Sequence, residues 1–240
     1  MAILMDHLIS WMIAVPFLGI AILAFVRDEE SIRRTAFGIT IVEFFLSLIL
    51  WKNFDSTQQG MQFVERVEWM PTFNIQYAVG VDGISILLVI LTALLCPLCI
   101  LCSWSGITTR VRAFLSLILL VQGAMIVVFT ALDLFLFFML WELTMIPMYF
   151  MIVLWGGPNR IAAGLKFVLY SLTGSLLLLV GILGVYLNGG HTYDLLVLSE
   201  QNYSSNQQFW LFLAFFFAFA IKMPMVPFHT WLPDAHAEAP

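Results

Sequence analysis

The sequence predicts an all-α fold, a polytopic transmembrane helix bundle of about seven helices whose seventh is broken near Lys222–Pro227. First, 62% of its 240 residues are hydrophobic, only 10% are charged, and mean hydropathy is +0.98. In soluble proteins roughly a quarter of all residues are charged. Second, seven apolar stretches approach the roughly 20 residues that a helix needs to cross a bilayer. Third, Pro224 and Pro227 interrupt the last stretch, because each removes a backbone donor.

The predicted elements follow from these stretches in chain order. A long segment after the second helix, residues 54–80, alternates short polar and apolar runs, and we expect a small hairpin there. Asp82 and Asp133 stand at the starts of two helices, where the helix dipole favours a carboxylate, so both are predicted caps. The regular part of the seventh helix is expected to end near Met223. The seven predicted spans are Leu8–Val26, Thr35–Asn53, Val81–Trp104, Val111–Thr130, Leu132–Trp155, Gly164–Leu187 and Gln208–Phe228.

Basic residues divide unevenly between the two sides of the predicted bundle. One side holds only Lys52 and Arg66, whereas the other holds seven basic residues. Cytoplasmic loops carry the excess of Lys and Arg, so we expect the richer side to be cytoplasmic and the N-terminus to lie outside. The seven are Arg27, Arg33, Arg34, Arg110, Arg112, Arg160 and Lys166.

Two charges lie within apolar runs, Glu142 in the fifth predicted helix and Lys222 at the end of the seventh. A charged side chain at membrane depth costs about 3 kcal/mol on insertion scales, so it usually faces a partner or water. The helical rise places Glu142 roughly 15 Å and Lys222 roughly 21 Å below the outer helix ends. Their similar depth predicts a proton-transfer pair, provided that the two helices are neighbours.

The protonation of Lys222 is expected to depend on the position of Glu142. Burial favours the neutral amine of Lys222, and a nearby carboxylate favours the ammonium, so moving the carboxylate away turns a proton holder into a proton donor. Alternatively, Glu142 is a protonated carboxyl that bonds a neighbouring helix, and Lys222 extends to the cytoplasmic surface.

Other residues are weaker candidates for proton transfer. His229 and His236 titrate near neutral pH, and they either relay protons to Lys222 or form hydrogen bonds at the interface. Glu43 is a third buried carboxylate, with no evident partner. In the sixth helix, hydroxyl side chains such as Ser175 line a water path or, with the glycines, permit close helix packing.

Several functional classes find no support in the sequence. Cys96, Cys99 and Cys102 lie in an apolar run without a fourth ligand, so we interpret them as small hydrophobic residues rather than iron–sulfur ligands. The histidines form no zinc motif, and we expect no metal site. The net charge of −5 is spread over loops and suggests no nucleic-acid partner.

Four motifs resemble the antiporter-like subunits of respiratory complex I, the NADH–quinone oxidoreductase. The ending Asp234–Pro240 is similar to the chain 4, or subunit M, family. The resemblance covers nearly the whole chain. Its motifs are LFLFFMLWELTMIPMY at 134–149, WGG at 155–157, KFVLY at 166–170 and KMPMVPFHTWLPDAHAEAP at 222–240.

The resemblance implies roles by position. Glu142 matches the glutamate of the family's fifth helix and Lys222 the lysine of its broken seventh helix, a pair that lies in a proton channel. His229 matches a position near that channel. The resemblance also implies that this chain performs no redox chemistry and holds no cofactor, because NADH, FMN, iron–sulfur clusters and quinone belong to partner subunits of the enzyme complex.

Family members have about fourteen helices in two inverted repeats, an arrangement common among transporters. The chain therefore corresponds to the N-terminal half, with helices 1–3 and the outer loop 54–80 in residues 1–110 and an incomplete first repeat in residues 111–240. Because the sequence ends at Pro240, we expect either a truncated product or a separate polypeptide that supplies the rest.

The leading hypothesis is a proton-translocating subunit that contacts other complex I membrane subunits, especially antiporter-like neighbours, lipid, water and protons. A bacterial inner membrane is expected rather than a mitochondrial one. The alternatives are a sodium/proton antiporter subunit, against which Asp234–Pro240 argues, and a scaffold without transport of its own.

Overall fold

The computed structural model describes residues 6–240 and is mainly helical, in agreement with the predicted all-α membrane bundle. Six helices within these described residues are long and apolar enough to cross a membrane. They are α1 (Leu8–Phe25), α2 (Glu29–Lys52), α3 (Ser85–Cys102), α4 (Val111–Thr130), α5 (Leu134–Trp155) and α6 (Arg160–Asn188). The others are α7 (Leu195–Ser199), α8 (Ser205–Lys222) and α9 (Trp231–Glu238).

The seventh predicted span forms α8, which begins with the polar turn Ser205–Gln208 and ends at Lys222. It is not among the six helices above, and its first turn is polar and is preceded by Ser204, which forms a reciprocal capping box with Gln207. The predicted break is confirmed. After Lys222 the chain continues through a 3₁₀ turn, Phe228–Thr230, into α9.

Most predicted helix bounds are close to the observed ones, and α4 coincides with its prediction. The largest difference is at α2, which begins at Glu29 rather than at Thr35. Asp28 explains the early start, because its side chain accepts a hydrogen bond from the Ser31 amide and caps the first turn. Polar residues thus extend this helix beyond the apolar run that predicted it.

The predicted hairpin is present as a two-stranded sheet, β1 (Gln62–Met70) and β2 (Ile75–Val81). A 3₁₀ turn joins the strands and ends at Asn74, whose φ of 53° is left-handed. Asparagine tolerates this conformation better than most residues.

The chain divides into two compact units. The first contains residues up to 67 and 77–132, and therefore α1–α4. The second contains residues 68–76 and 133–240, and therefore α5–α9. In the second unit, α6 packs against both α5 and α8, and its buried residues Leu178 and Ile182 form a core with Ala218.

The cap predicted at Asp133 is confirmed, and its carboxylate does more than cap α5. One oxygen accepts from the amides of Phe135 and Leu136, and the other accepts from the amide of Gln76, at 2.9–3.0 Å. Burial raises the pKa of Asp133 above its ordinary value, against these hydrogen bonds. The carboxylate therefore joins the start of α5 to the hairpin segment of the same unit. Asp82 likewise accepts from the amides of Ile84 and Ser85 at the start of α3.

Candidate functional site

The second unit brings Glu142 and Lys222 into one polar site between helices. Glu142 lies on α5 and Lys222 is the last residue of α8, while α6 packs against both helices. Both side chains are half-buried. Both helices pack on α6, which supplies part of the site, and a direct meeting of the two side chains stays a prediction.

Lys222 lies on an aromatic surface. Its Nζ is 5.1 Å from the ring centroid of Trp141, the residue that precedes Glu142. Trp141 in turn packs edge-on against Phe219, one turn before Lys222, at a centroid distance of 5.8 Å. The face of an indole ring attracts a cation, most strongly where water is excluded. The ring therefore stabilises the protonated form of Lys222 at the point where helix α8 ends.

Glu142 is held from the opposite side by α6. The hydroxyl of Ser175, which is buried, donates a hydrogen bond to Glu142 Oε1. The charge of Glu142 also acts on Lys222 and favours its ammonium form. In the described part of the chain no ion pair joins the two residues, although pairs with N–O distances of 2.7–3.6 Å occur elsewhere. Glu142 therefore influences Lys222 through space, so that a small displacement of either side chain changes their interaction.

The helix break leaves carbonyl groups of α8 to be satisfied by other donors. The amide of Met223 donates to the Phe219 carbonyl at 2.7 Å, and the amide of Met225 donates to the Ala220 carbonyl at 2.9 Å. The indole Nε1 of Trp231 donates to the carbonyl of Ile221, at 2.8 Å in a buried position. Trp231 thus connects α9 to the last turn of α8, directly beside Lys222.

Replacing Trp231 with phenylalanine is expected to loosen this break. The change leaves the Ile221 carbonyl without its buried donor, at a cost of about 1–3 kcal/mol. Hydrogen exchange of the purified protein, followed by mass spectrometry, should show faster exchange of amides 223–231. Trp210→Phe is the matched control because Trp210 is exposed on α8. Equal exchange in wild type and Trp231→Phe would contradict the assigned role.

Helix α9 is anchored to the start of α6 by polar contacts. Lys166 Nζ donates to Asp234 Oδ2 at 2.7 Å, and the Asn159 amide donates to Glu238 Oε2 at 2.9 Å. The Gly157 amide donates to the Glu238 carbonyl at 2.9 Å. A Cβ at Gly157 would lie 2.6 Å from Glu238 Oε2, so glycine permits this close approach. These contacts fix α9 against α6.

The weaker candidates for proton transfer differ in their burial and in their surroundings. His229 lies half-buried in the 3₁₀ turn after the break, and its Nδ1 is buried without a hydrogen-bonding partner among the described residues. His236 is exposed on α9. The neighbour of His229, Thr230, shares a 2.8 Å hydrogen bond with the hydroxyl of Tyr170 on α6. Glu43 is fully buried in the other unit.

Three contributors to the site were missed by the sequence reasoning. Trp141 had a usable signal, since an aromatic residue beside an intramembrane carboxylate is well placed to meet a cation. Trp231 and Glu238 had none, because their partners lie 10 and 79 residues away along the chain.

The described residues bring no three histidine, cysteine, aspartate or glutamate side chains together as a metal site. Cys96 is buried and Cys99 and Cys102 are exposed, all three as free thiols.

Two family models match consecutive parts of the chain. One, described as NADH-ubiquinone oxidoreductase chain 4, amino terminus, matches residues 11–128. The other, described as NADH:quinone oxidoreductase/Mrp antiporter, TM, matches residues 131–240.

Curated relatives are similar over nearly the full chain. NADH-ubiquinone oxidoreductase chain 4 of Arabidopsis thaliana is 43% identical over 97% of this chain and 47% of its own length. NADH-quinone oxidoreductase subunit M of Rhodobacter capsulatus is 41% identical over 98% of this chain and 49% of its own length. The chain spans about half the length of these relatives.

Two solved structures share the fold. Respiratory complex I from Thermus thermophilus with bound NADH contains a chain with a TM-score of 0.86 and 32% identity, aligned over 96% of this chain and 47% of that one. The Mrp complex from Dietzia sp. contains a chain with a TM-score of 0.83 and 21% identity, aligned over 96% of this chain and 25% of that one. The second likeness concerns the fold alone.

Proposed function

Since the chain belongs to the chain 4, or subunit M, family of NADH–quinone oxidoreductase, we propose that it takes part in moving protons across a membrane within that complex. In this proposal Lys222 binds and releases the proton, and Glu142 sets the charge that Lys222 experiences. The observation that carries it is the placement of both ionisable side chains in one site beside the broken end of α8.

Some features of the site favour proton binding by Lys222, and others favour proton release. The Glu142 carboxylate and the face of Trp141 both favour the ammonium of Lys222, whereas burial favours the neutral amine. When Glu142 or Trp141 moves away, or Glu142 takes up a proton, the balance shifts toward release. Ser175 holds Glu142 by a hydrogen bond, so a shift of α6 is one physical means of changing this balance.

The redox energy comes from elsewhere in the proposed complex. We place NADH, FMN, iron–sulfur clusters and quinone in partner subunits, and antiporter-like subunits next to this chain. We also place the chain in a bacterial inner membrane, with its N-terminus outside.

His229, with its unpartnered Nδ1, is the proposed relay between Lys222 and the cytoplasm, and exposed His236 is a second candidate.

A sodium/proton antiporter subunit is the second candidate function, because the family model over residues 131–240 includes Mrp antiporters in its description. Its site chemistry is the same, but an ion gradient rather than quinone reduction drives it. A scaffold role is the third candidate, in which the chain supports the complex without moving protons itself.

The test is proton pumping by the whole complex in proteoliposomes, with the interior pH followed by a dye. We expect acidification that starts with NADH and quinone, that collapses with a protonophore and that persists in sodium-free medium. Acidification that requires sodium would favour the antiporter function. Unchanged pumping by a complex whose Lys222 is replaced would favour the scaffold.

Replacing His229 with alanine is expected to slow pumping by about tenfold, because a positioned acid–base group contributes at least this much to proton transfer. Electron transfer in the presence of a protonophore should stay normal, and added imidazole should restore part of the pumping rate. His236→Ala is the comparison variant and should lose less, because water has access to this exposed position. Wild-type pumping by His229→Ala would remove His229 from the proton path.

A further inference from the structure

The first unit contains a second buried polar position that the proposed function does not use. Glu43 on α2 and Gln122 on α4 are both 0% exposed. Neither carboxylate oxygen of Glu43 and neither polar atom of the Gln122 amide has a hydrogen-bonding partner among the described residues. Four unpaired polar atoms inside an apolar bundle are costly, since each unsatisfied buried group costs about 1–3 kcal/mol.

The two side chains lie at one level of the bundle. Successive spans alternate in direction, so α2 and α4 run parallel. The helical rise places Glu43 about 14 Å from the C-terminal end of α2 and Gln122 about 12 Å from that of α4. An independent contact fixes the same register, because a Cβ at Gly19 of α1 would lie 2.9 Å from Ile39 Cδ1 and 3.1 Å from Leu119 Cδ1. Glu43 and Gln122 follow those two residues by one helical turn in the same direction.

No ion pair within residues 6–240 involves Glu43. The thiol of Cys96 on α3, which is itself buried, is near enough for the charge of Glu43 to act on it. The nearest polar side chains on α2, Thr40 and Ser47, are fully buried and donate to carbonyls of their own helix. An isolated ionised carboxylate in such a place is far more costly than its protonated form.

We infer that Glu43, as a neutral carboxylic acid, and Gln122 together bind a buried water molecule and form a second intramembrane proton-binding site. The acid O–H donates to the water, and the Gln122 amide supplies a donor and an acceptor to it. Buried waters typically make about three such bonds to polar groups that are otherwise unsatisfied. The inference concerns the first unit alone and stands whether or not Lys222 and Glu142 move protons.

Infrared difference spectroscopy of the reconstituted complex tests this site. A Glu142→Gln background removes the half-buried carboxyl of the second unit. In that background we expect a protonated-carboxyl C=O band that shifts in D₂O, disappears in Glu43→Gln and moves to higher frequency in Gln122→Leu, which loses a hydrogen bond. Glu30→Gln is the matched control, because Glu30 lies exposed on the same helix and pairs with Arg34 at 2.9 Å.

Each contrary result overturns a part of the inference. A band that survives Glu43→Gln shows that Glu43 is not the neutral acid, and a band that Gln122→Leu leaves in place excludes Gln122 as its partner. A band that does not shift in D₂O excludes exchange with water.

A second measurement covers the case in which Glu43→Gln fails to assemble. Dicyclohexylcarbodiimide, an apolar reagent, modifies protonated carboxyls in membranes, so mass spectrometry of the treated wild-type complex should find its adduct on Glu43 and not on Glu30. An adduct-free Glu43 contradicts the neutral acid.

Discussion

Replacing Lys222 with alanine is expected to slow proton transfer through this subunit by about 10²-fold or more, the lower end of what a positioned acid–base group supplies. The variant removes the amine that binds the proton, while Trp141 and Glu142 keep their places. The measurement is the number of protons pumped per electron pair in proteoliposomes that contain the whole complex. Electron transfer with a protonophore present should stay close to wild type, because the redox groups are proposed to lie in other subunits.

Two further variants separate the charge of Lys222 from its ability to exchange a proton. Lys222→Arg keeps a cation over the Trp141 ring, yet arginine stays protonated throughout the physiological range. We therefore expect Lys222→Arg to assemble normally and to pump as poorly as Lys222→Ala. Lys52→Ala is the control, since Lys52 is exposed at the end of α2. Normal pumping by an assembled Lys222→Arg complex would show that Lys222 acts as a fixed charge.

Replacing Glu142 with glutamine is expected to lower pumping by about tenfold, the effect of removing about 1.4 kcal/mol of stabilisation from the protonated lysine. Glutamine keeps the size of the side chain and retains an oxygen that accepts from the Ser175 hydroxyl. The variant thus removes the negative charge and little else. The same pumping assay measures the effect, with the amount of assembled complex determined for each preparation.

The charge and the hydrogen bond of Glu142 are tested separately. Glu142→Asp retains the carboxylate on a shorter side chain, and we expect it to recover part of the pumping that Glu142→Gln loses. Ser175→Ala removes only the hydroxyl that holds Glu142, and its effect should be smaller than that of Glu142→Gln. Glu142→Gln with wild-type coupling would sink the proposal that Glu142 controls Lys222.

The pumping losses of the Lys222 and Glu142 variants, compared with that of the double variant, distinguish the proposed roles of the two residues. If Lys222 carries the proton and Glu142 adjusts it, the lysine variant shows the larger loss and the double variant loses no more than Lys222→Ala. Independent losses that add in the double variant would indicate two separate proton routes, because groups that act as one unit are not additive.

Membrane helices were predictable because each must satisfy its own backbone hydrogen bonds in lipid, so long apolar runs such as Val111–Thr130 have one available structure. Helix ends were less predictable. Asp28 extends α2 beyond its apolar run, and polar residues start α8 at Ser205, because caps depend on particular side chains rather than on hydropathy.

The candidate site was predictable in its charged residues and not in its supports. Glu142 and Lys222 stand out because a charge in an apolar run is rare and costly. Trp231 and Glu238 carry no such signal, since their roles come from contacts with a helix break and with a helix start far along the chain. The division of residues 1–110 and 111–240 into an N-terminal part and a repeat stays a prediction.

The sequence by itself determined that this protein is a multi-spanning helix bundle, which helices contain the ionisable residues, and that the seventh predicted helix breaks after Lys222. These properties follow from hydropathy and from proline, which act over a few neighbouring residues. Only the tertiary structure decided that α6 lies against both α5 and α8, that Ser175 holds Glu142, and that Trp141 lies beneath the amine of Lys222. Such contacts depend on how helix surfaces pack, and residues distant in the chain set that packing together.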